Sequence, residues 1–221
     1  MVPQEFIDEI KFGNSSQDCV HWMNRQSFLD THFTELTTFT YPNPGSPSTQ
    51  DELMIIGNAM NGCAEDQELR HRYFEFDRKG YRFYKEVIDS TEIITDKDDF
   101  KKMVDDIVLD SSPLIYKLKQ YFNRPRPAQI AFYYKVKLFP YKSLSVDCPA
   151  YPSASVFHAR IICEVIGNRQ PQLYGGMQQL FNNISASRIA LGLNYPSDVE
   201  AAAYAAGVVL NNPEFKVKYK L

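Results

Sequence analysis

Apolar side chains recur at three- and four-residue spacing through most of the chain beyond residue 48, and that period predicts helices. Helices are expected at about 49–62 and 66–89, the second weakened at Gly80. Ser48 followed by Asp51, just before Leu53-Met54-Ile55-Ile56, marks the first start. A third helix is expected at about 96–109. Pro113 then suits the first turn of a fourth, which carries Leu114, Ile115, Leu118, Tyr121 and Phe122. The prolines of Arg124-Pro-Arg126-Pro127 end it, because neither continues the hydrogen-bond ladder. Residues 128–152 read as irregular with a strand-like patch over 130–139, and three further helices follow at about 154–167, 170–191 and 197–210. Ahead of residue 46, residues 2–12 suit a short amphipathic helix, 27–41 an extended arm, and Tyr41-Pro-Asn-Pro-Gly-Ser-Pro-Ser48 a turn. The pattern describes an all-α helical bundle over residues 46–221, preceded by an N-terminal extension over 1–45.

Composition narrows the class. The 221 residues are 44% apolar, enough to bury a sizeable core and too many for a disordered chain. The longest mostly apolar stretch, Ala201–Leu210, is about half of what a membrane span needs. A formal net charge of −3 does not suggest nucleic-acid binding, which shows as a basic excess or stripe. Cys19, Cys63, Cys148 and Cys163 form no CxxC pair and have no metal-ligand spacing. With no secretory signal in MVPQEFIDEIKFG, they read as reduced thiols in a cytosol-like compartment.

Three segments carry candidate chemistry. The first runs from Lys119 through Arg124-Pro-Arg126-Pro127. The second is Cys148-Pro-Ala-Tyr-Pro152-Ser153-Ala154-Ser155, a turn opening a helix. The third is Ser187-Arg188, followed by Gly192-Leu-Asn194-Tyr-Pro-Ser197-Asp198. Guanidinium forks, an ammonium, a hydroxyl and the N–H groups of a helix start together suit a phosphate-like anion. Each segment alone is an ordinary surface feature. The bland reading of the set is an internal ion-pair network, with Asp198 bridging the arginines.

In order and spacing the three segments resemble the signature of the phosphatidic acid phosphatase type 2 superfamily: K-x6-R-P, P-S-G-H and S-R-x5-H-x3-D. The nearer likeness is to the bacterial class A non-specific acid phosphatases, relatives of the vanadium haloperoxidases. It rests also on the doubled Arg-x-Arg-Pro, the proline-rich segment before the first long helix, Ser197-Asp198-Val-Glu-Ala-Ala202 and Asn212-Pro-Glu-Phe215. The resemblance implies that fold over residues 39–215. It assigns Lys119, Arg126 and Arg188 to phosphate oxygens, although Lys117 and Arg124 also satisfy K-x6-R-P. Ser153 falls on a serine that donates to the phosphate, Ala154 on a glycine whose backbone N–H faces the site, and Asp198 on the aspartate that orients the nucleophilic histidine.

Both catalytic histidines of that signature are replaced. Ser155 stands where the acid histidine belongs and Asn194 where the nucleophile belongs. A serine hydroxyl is too weak an acid and an amide too poor a nucleophile to substitute. The expectation is a pseudoenzyme, a structural or interaction protein with a residual site for phosphate, vanadate or a phosphorylated ligand. It needs no resident cofactor, metal, nucleic acid or membrane span, and it has a protein partner or a place in a larger intracellular assembly, such as a virus particle. The alternative is an active phosphomonoester hydrolase with altered machinery, using His158 one turn beyond Ser155. A haloperoxidase is less suited, since its vanadate is bonded to the histidine that Asn194 replaces. His21, His32 and His71 read as structural or solvated, and Asp147 and Glu164 as surface charges.

Overall fold

In the computed structural model, which describes residues 2–143 and 146–221, the first long helix begins two residues before the sequence signal. Ser46 caps it, its hydroxyl accepting from the Thr49 N–H, and Pro47 takes the first helical position, where a missing N–H costs nothing. Before it lie α1 (Gln4–Asp8), α2 (Gln17–Met23), a 3-10 turn (Phe28–His32) and α3 (Phe33–Leu36). The expected extended arm over 27–41 is therefore short helical turns instead. Ser27 and Asp30 cap the 3-10 turn reciprocally, and Leu29 and Leu36 are driven fully into the core.

The helix that starts at Pro47 is α4 (Pro47–Glu65), and α5 (Gln67–Lys79) and α6 (Arg82–Ser90) follow it. The sequence reading joined the last two, but Gly80 adopts φ +52° and ends α5, a conformation that side chains disfavour. The opposite correction applies next. The stretch read as two helices is one, α7 (Lys97–Phe122), with Pro113 inside it. An interior proline costs about 3 kcal/mol. Here Met103, Val104 and Ile107 before it and Leu114, Ile115 and Leu118 after it are all buried, and that packing outweighs the lost bond.

The strand-like patch at 130–139 is not a strand. Its start forms α8 (Pro127–Ala131) and a 3-10 turn (Phe132–Tyr134), and no strand occurs among the described residues. Then come α9 (Ala154–Arg169), α10 (Tyr174–Ala190), α11 (Pro196–Asn211) and α12 (Pro213–Tyr219), the last unforeseen. The architecture is all-α, as the periodicity predicts.

At its centre, α9 buries Val156, Phe157, Ala159, Ile161, Ile162, Cys163, Val165 and Ile166, so it is apolar on nearly every side. It packs against α7, α10 and α11. A smaller core joins Ile7, Leu53, Ile56, Ile130, Ala150 and Tyr195, and sits beneath the turns that carry the candidate motifs. No helix among the described residues is long and apolar enough to cross a membrane.

The cysteines are not all free thiols. Cys19 on α2 is bonded to Cys148, with Cα atoms 6.3 Å apart, while Cys63 and Cys163 remain buried thiols. Sequence spacing missed the pair because 129 residues separate its members. The reading of a reducing compartment loses that support. Closing so long a loop restricts the unfolded chain, so reduction, or Cys19→Ser, is expected to lower unfolding stability by about 2–5 kcal/mol. Urea titrations with and without reductant measure this, and superimposable curves would refute it.

Candidate functional site: a buried cationic cavity

Arg124 organises the ground on which the site stands. It follows Asn123, which closes α7 in a left-handed conformation, and its side chain turns fully inward. Nη1 donates to Asp198 Oδ1 at 2.6 Å and to the Ser197 hydroxyl at 2.7 Å, and Nη2 donates to Glu52 Oε2 at 2.8 Å. The guanidinium lies over Tyr195, 3.8 Å from the ring centre, and over Tyr41 at 4.8 Å. Two carboxylates and two rings thus compensate one buried cation. Lys117, the other half of the earlier K-x6-R-P frame, points elsewhere and pairs with Asp30 at 2.6 Å.

The later frame behaves differently. Lys119, Arg126 and Arg188 line a single cavity of about 450 Å³, and their residues are only 3%, 6% and 2% exposed. Ser153, Ala154, Ser155 and Asn194 line it too, so the structure brings the candidate residues of all three segments together. Lys119 Nζ donates to the carbonyls of Pro149 (2.6 Å) and Ala150 (3.3 Å). Arg126 donates Nε to Cys148 O and Nη1 to Leu193 O, both at 2.8 Å. Arg188 Nη1 meets Asp77 Oδ1 at 2.6 Å, and the Ser143 hydroxyl donates to the same oxygen. Asp77, from α5, was not singled out by its sequence context. A lone acid amid Phe-Glu-Phe-Asp-Arg-Lys signals nothing without the fold.

Asp198 does not bridge the cavity arginines, as the internal-network reading expected. It pairs with Arg124, and its other oxygen accepts from the Asn194 amide (3.1 Å) and the Tyr195 N–H (2.9 Å). Asn194 also donates to Ala150 O and accepts from the Ser153 hydroxyl at 3.3 Å. The turn that carries Asn194 passes close to the 136–143 segment: Gly192, at φ +71°, has no room for a Cβ beside Met60 and Pro140.

Charge in this cavity is held at a cost. Burial, then the neighbouring Arg126, pushes the Lys119 ammonium well below the ordinary lysine value. Burial also brings Arg126 down to about 10, against the pull of Asp198. No carboxylate pairs with Lys119 among the described residues. Asp18 and Asp147 stand on the cavity wall as exposed side chains. The cavity thus gathers three basic side chains, with two carboxylates on its exposed wall. It offers no poised acid or nucleophile at Ser155 or Asn194.

His158 lies in a neighbouring chamber and does not line the cationic one. Its Nε2 is 3.3 Å from the Ser112 hydroxyl, and burial, then Lys119, lowers it to about 4. It is neutral at physiological pH and has no proton to give there, which disfavours it as a replacement acid. Of the other histidines, His32 contacts Glu35 and Asn212, and His21 stacks edge-on with Trp22. Glu164 is not a bare surface charge. It binds Arg160, at 3.3 Å, and Gln178.

The fold and site define an all-α protein with a cavity lined by Lys119, Arg126 and Arg188 and walled by helix starts and turns. Searches of protein-family models and of curated proteins found nothing that matches the chain. No group of three or more potential metal-ligating side chains occurs among the described residues.

The His158 environment has a measurable consequence. Its folded value lies below the ordinary 6.5, so below that pH the unfolded chain takes up a proton that the folded chain refuses. Stability is fully retained above 6.5 and is lost as pH falls from 6.5 towards 4. His158→Gln is expected to flatten that part of the acid limb, measured by urea unfolding at stepped pH. An unchanged limb would place His158 in water.

Proposed function

We propose that the chain is a non-catalytic relative of the acid phosphatase-like superfamily, a structural or interaction protein that holds phosphate or a phosphorylated ligand in the cationic cavity. The observation that carries this reading is the convergence of Lys119, Arg126 and Arg188 on one cavity, where Arg188 pairs with Asp77 and Lys119 is held by the carbonyls of Pro149 and Ala150. A buried ammonium held by carbonyls alone is costly, and a bound anion offsets that cost. The partner is a protein or a larger assembly such as a virus particle.

Anion binding is tested by thermal shift. Phosphate or vanadate at a hundred times its Kd stabilises by about 2.7 kcal/mol, roughly 5–10 °C for a chain of this size. Lys119→Met is the informative variant, because it removes a buried charge without orphaning a carboxylate. It is expected to fold at least as stably as the parent and to lose most of the shift. A parent that does not respond to either anion would leave the cations as internal structure.

Catalysis is tested by difference. Asn194 and Ser155 supply neither nucleophile nor acid, and losing an activated nucleophile removes about a millionfold where this has been measured. No hydrolysis of an aryl phosphate above background is expected. Asn194→His combined with Ser155→His is expected to gain vanadate-sensitive turnover, with Ser155→His alone inert. Robust turnover by the parent, abolished by His158→Ala, would instead establish an active hydrolase.

A further inference from the structure

Adjoining the cationic cavity is a second chamber of about 230 Å³, and Trp22, Gly80, Tyr81, Tyr116, Ala154, Ser155 and Arg188 line both. Away from these shared residues the surfaces change character. Phe76, Phe83, Tyr84, Val108 and Ile184 line the chamber, with His158 held neutral against Ser112. Its charged groups are Arg188 and Asp77, paired with each other at 2.6 Å.

From this juxtaposition we infer that the ligand is a phosphoryl or phosphonyl group carried on a single aromatic ring, the anion among Lys119, Arg126 and Arg188 and the ring in the chamber. The inference rests on the anion reading above and adds the identity of what the anion carries. Size supports one ring: an apolar cavity of about 150 Å³ holds benzene, so this chamber has room for a ring with a small substituent. Shape supports an aromatic one, because rings gain from edge-to-face contacts with aromatic walls. The Ser112 hydroxyl and the His158 ring add one polar contact for a substituent. Charge complementarity fixes the orientation. A charged group placed in the chamber would be desolvated among phenyl rings, whereas in the cavity it meets Lys119 and Arg126 beside the Asp77-paired Arg188.

The probes are phenylphosphonate, methylphosphonate and inorganic phosphate, each titrated calorimetrically into the intact chain. At a pH where both probes are dianions, phenylphosphonate is expected to bind tenfold or more tighter than methylphosphonate, because only its ring is large enough to fill the chamber. Trp22 is the chain's one tryptophan and stands in the shared wall, so its emission reports locally. It is expected to change more with phenylphosphonate than with methylphosphonate. Val108→Phe, and independently Ile184→Phe, fill the chamber and are expected to erase the preference while methylphosphonate binding is retained. Should phosphate and both phosphonates bind equally, or should the preference survive in folded filled variants, the chamber is not the ring's site. Should none of the three bind, the anion reading itself falls and takes this inference with it.

Discussion

One buried cation holds this site together. Arg124 reaches across to Glu52 on α4 and to Asp198 and Ser197 at the start of α11, and is covered by Tyr41 from the N-terminal segment. Glu52 in turn accepts from the Ser197 N–H at 2.7 Å, and the Arg124 carbonyl accepts from the Ala150 N–H. A single guanidinium therefore fixes the junction after α7, the beginning of α11 and the segment leading into α9. Such a pair is weak evidence of net stability, since desolvation consumes much of the Coulombic gain. Its value is geometric: removing one partner strands the others, so the three elements have one arrangement.

That arrangement dictates the electrostatics next to it. Asp198 is spent on Arg124 and on the Asn194 amide, so it is not the ion-pair partner of Lys119 or Arg188. Lys119 donates to the carbonyls of Pro149 and Ala150, and Arg126 to those of Cys148 and Leu193, groups that hold direction but carry only partial charge. The carbonyls of 148–150 belong to the segment clipped to α2 by the Cys19–Cys148 bond and by the Ser16 N–H to Asp147 O contact. The N-terminal segment is thus part of the cavity wall, and the two cations keep their positions because a distant part of the chain restrains the loop that holds them.

What the sequence made legible follows from what is local. Helix period, proline punctuation and motif order identified the all-α class and placed Lys119, Arg126, Ser153, Ala154 and Arg188 as one set. The fold gathers that set around one cavity. Pairings across the chain were not legible. Arg124 and Glu52 lie 72 positions apart, Arg188 and Asp77 111, and Cys19 and Cys148 129. Nothing in the local composition of 49–65 or 67–79 marks Glu52 or Asp77 among the other acids of those helices. Pro113 misled for the converse reason: its local rule is sound, but buried neighbours on both sides overrode it.

Asn194 is where geometry and chemistry part. An amide presents a donor on one side and an acceptor on the other, and Asn194 uses both, donating to Asp198 and Ala150 and accepting from Ser153. A neutral imidazole in the same place could donate to Asp198, but would leave its other nitrogen with a lone pair directed outward. That lone pair is what makes a nucleophile, and the amide has none of comparable basicity. Asn194 therefore keeps the turn between α10 and α11 bonded without offering such an electron pair. The neighbouring cations make their own hydrogen bonds to Cys148, Pro149, Ala150, Leu193 and Asp77, not to the residue 194 side chain. On the proposed reading, binding and turnover are separable in this fold for that reason: the anion is attracted by cations that the backbone positions, and its reaction needs different side chains, at 155 and 194.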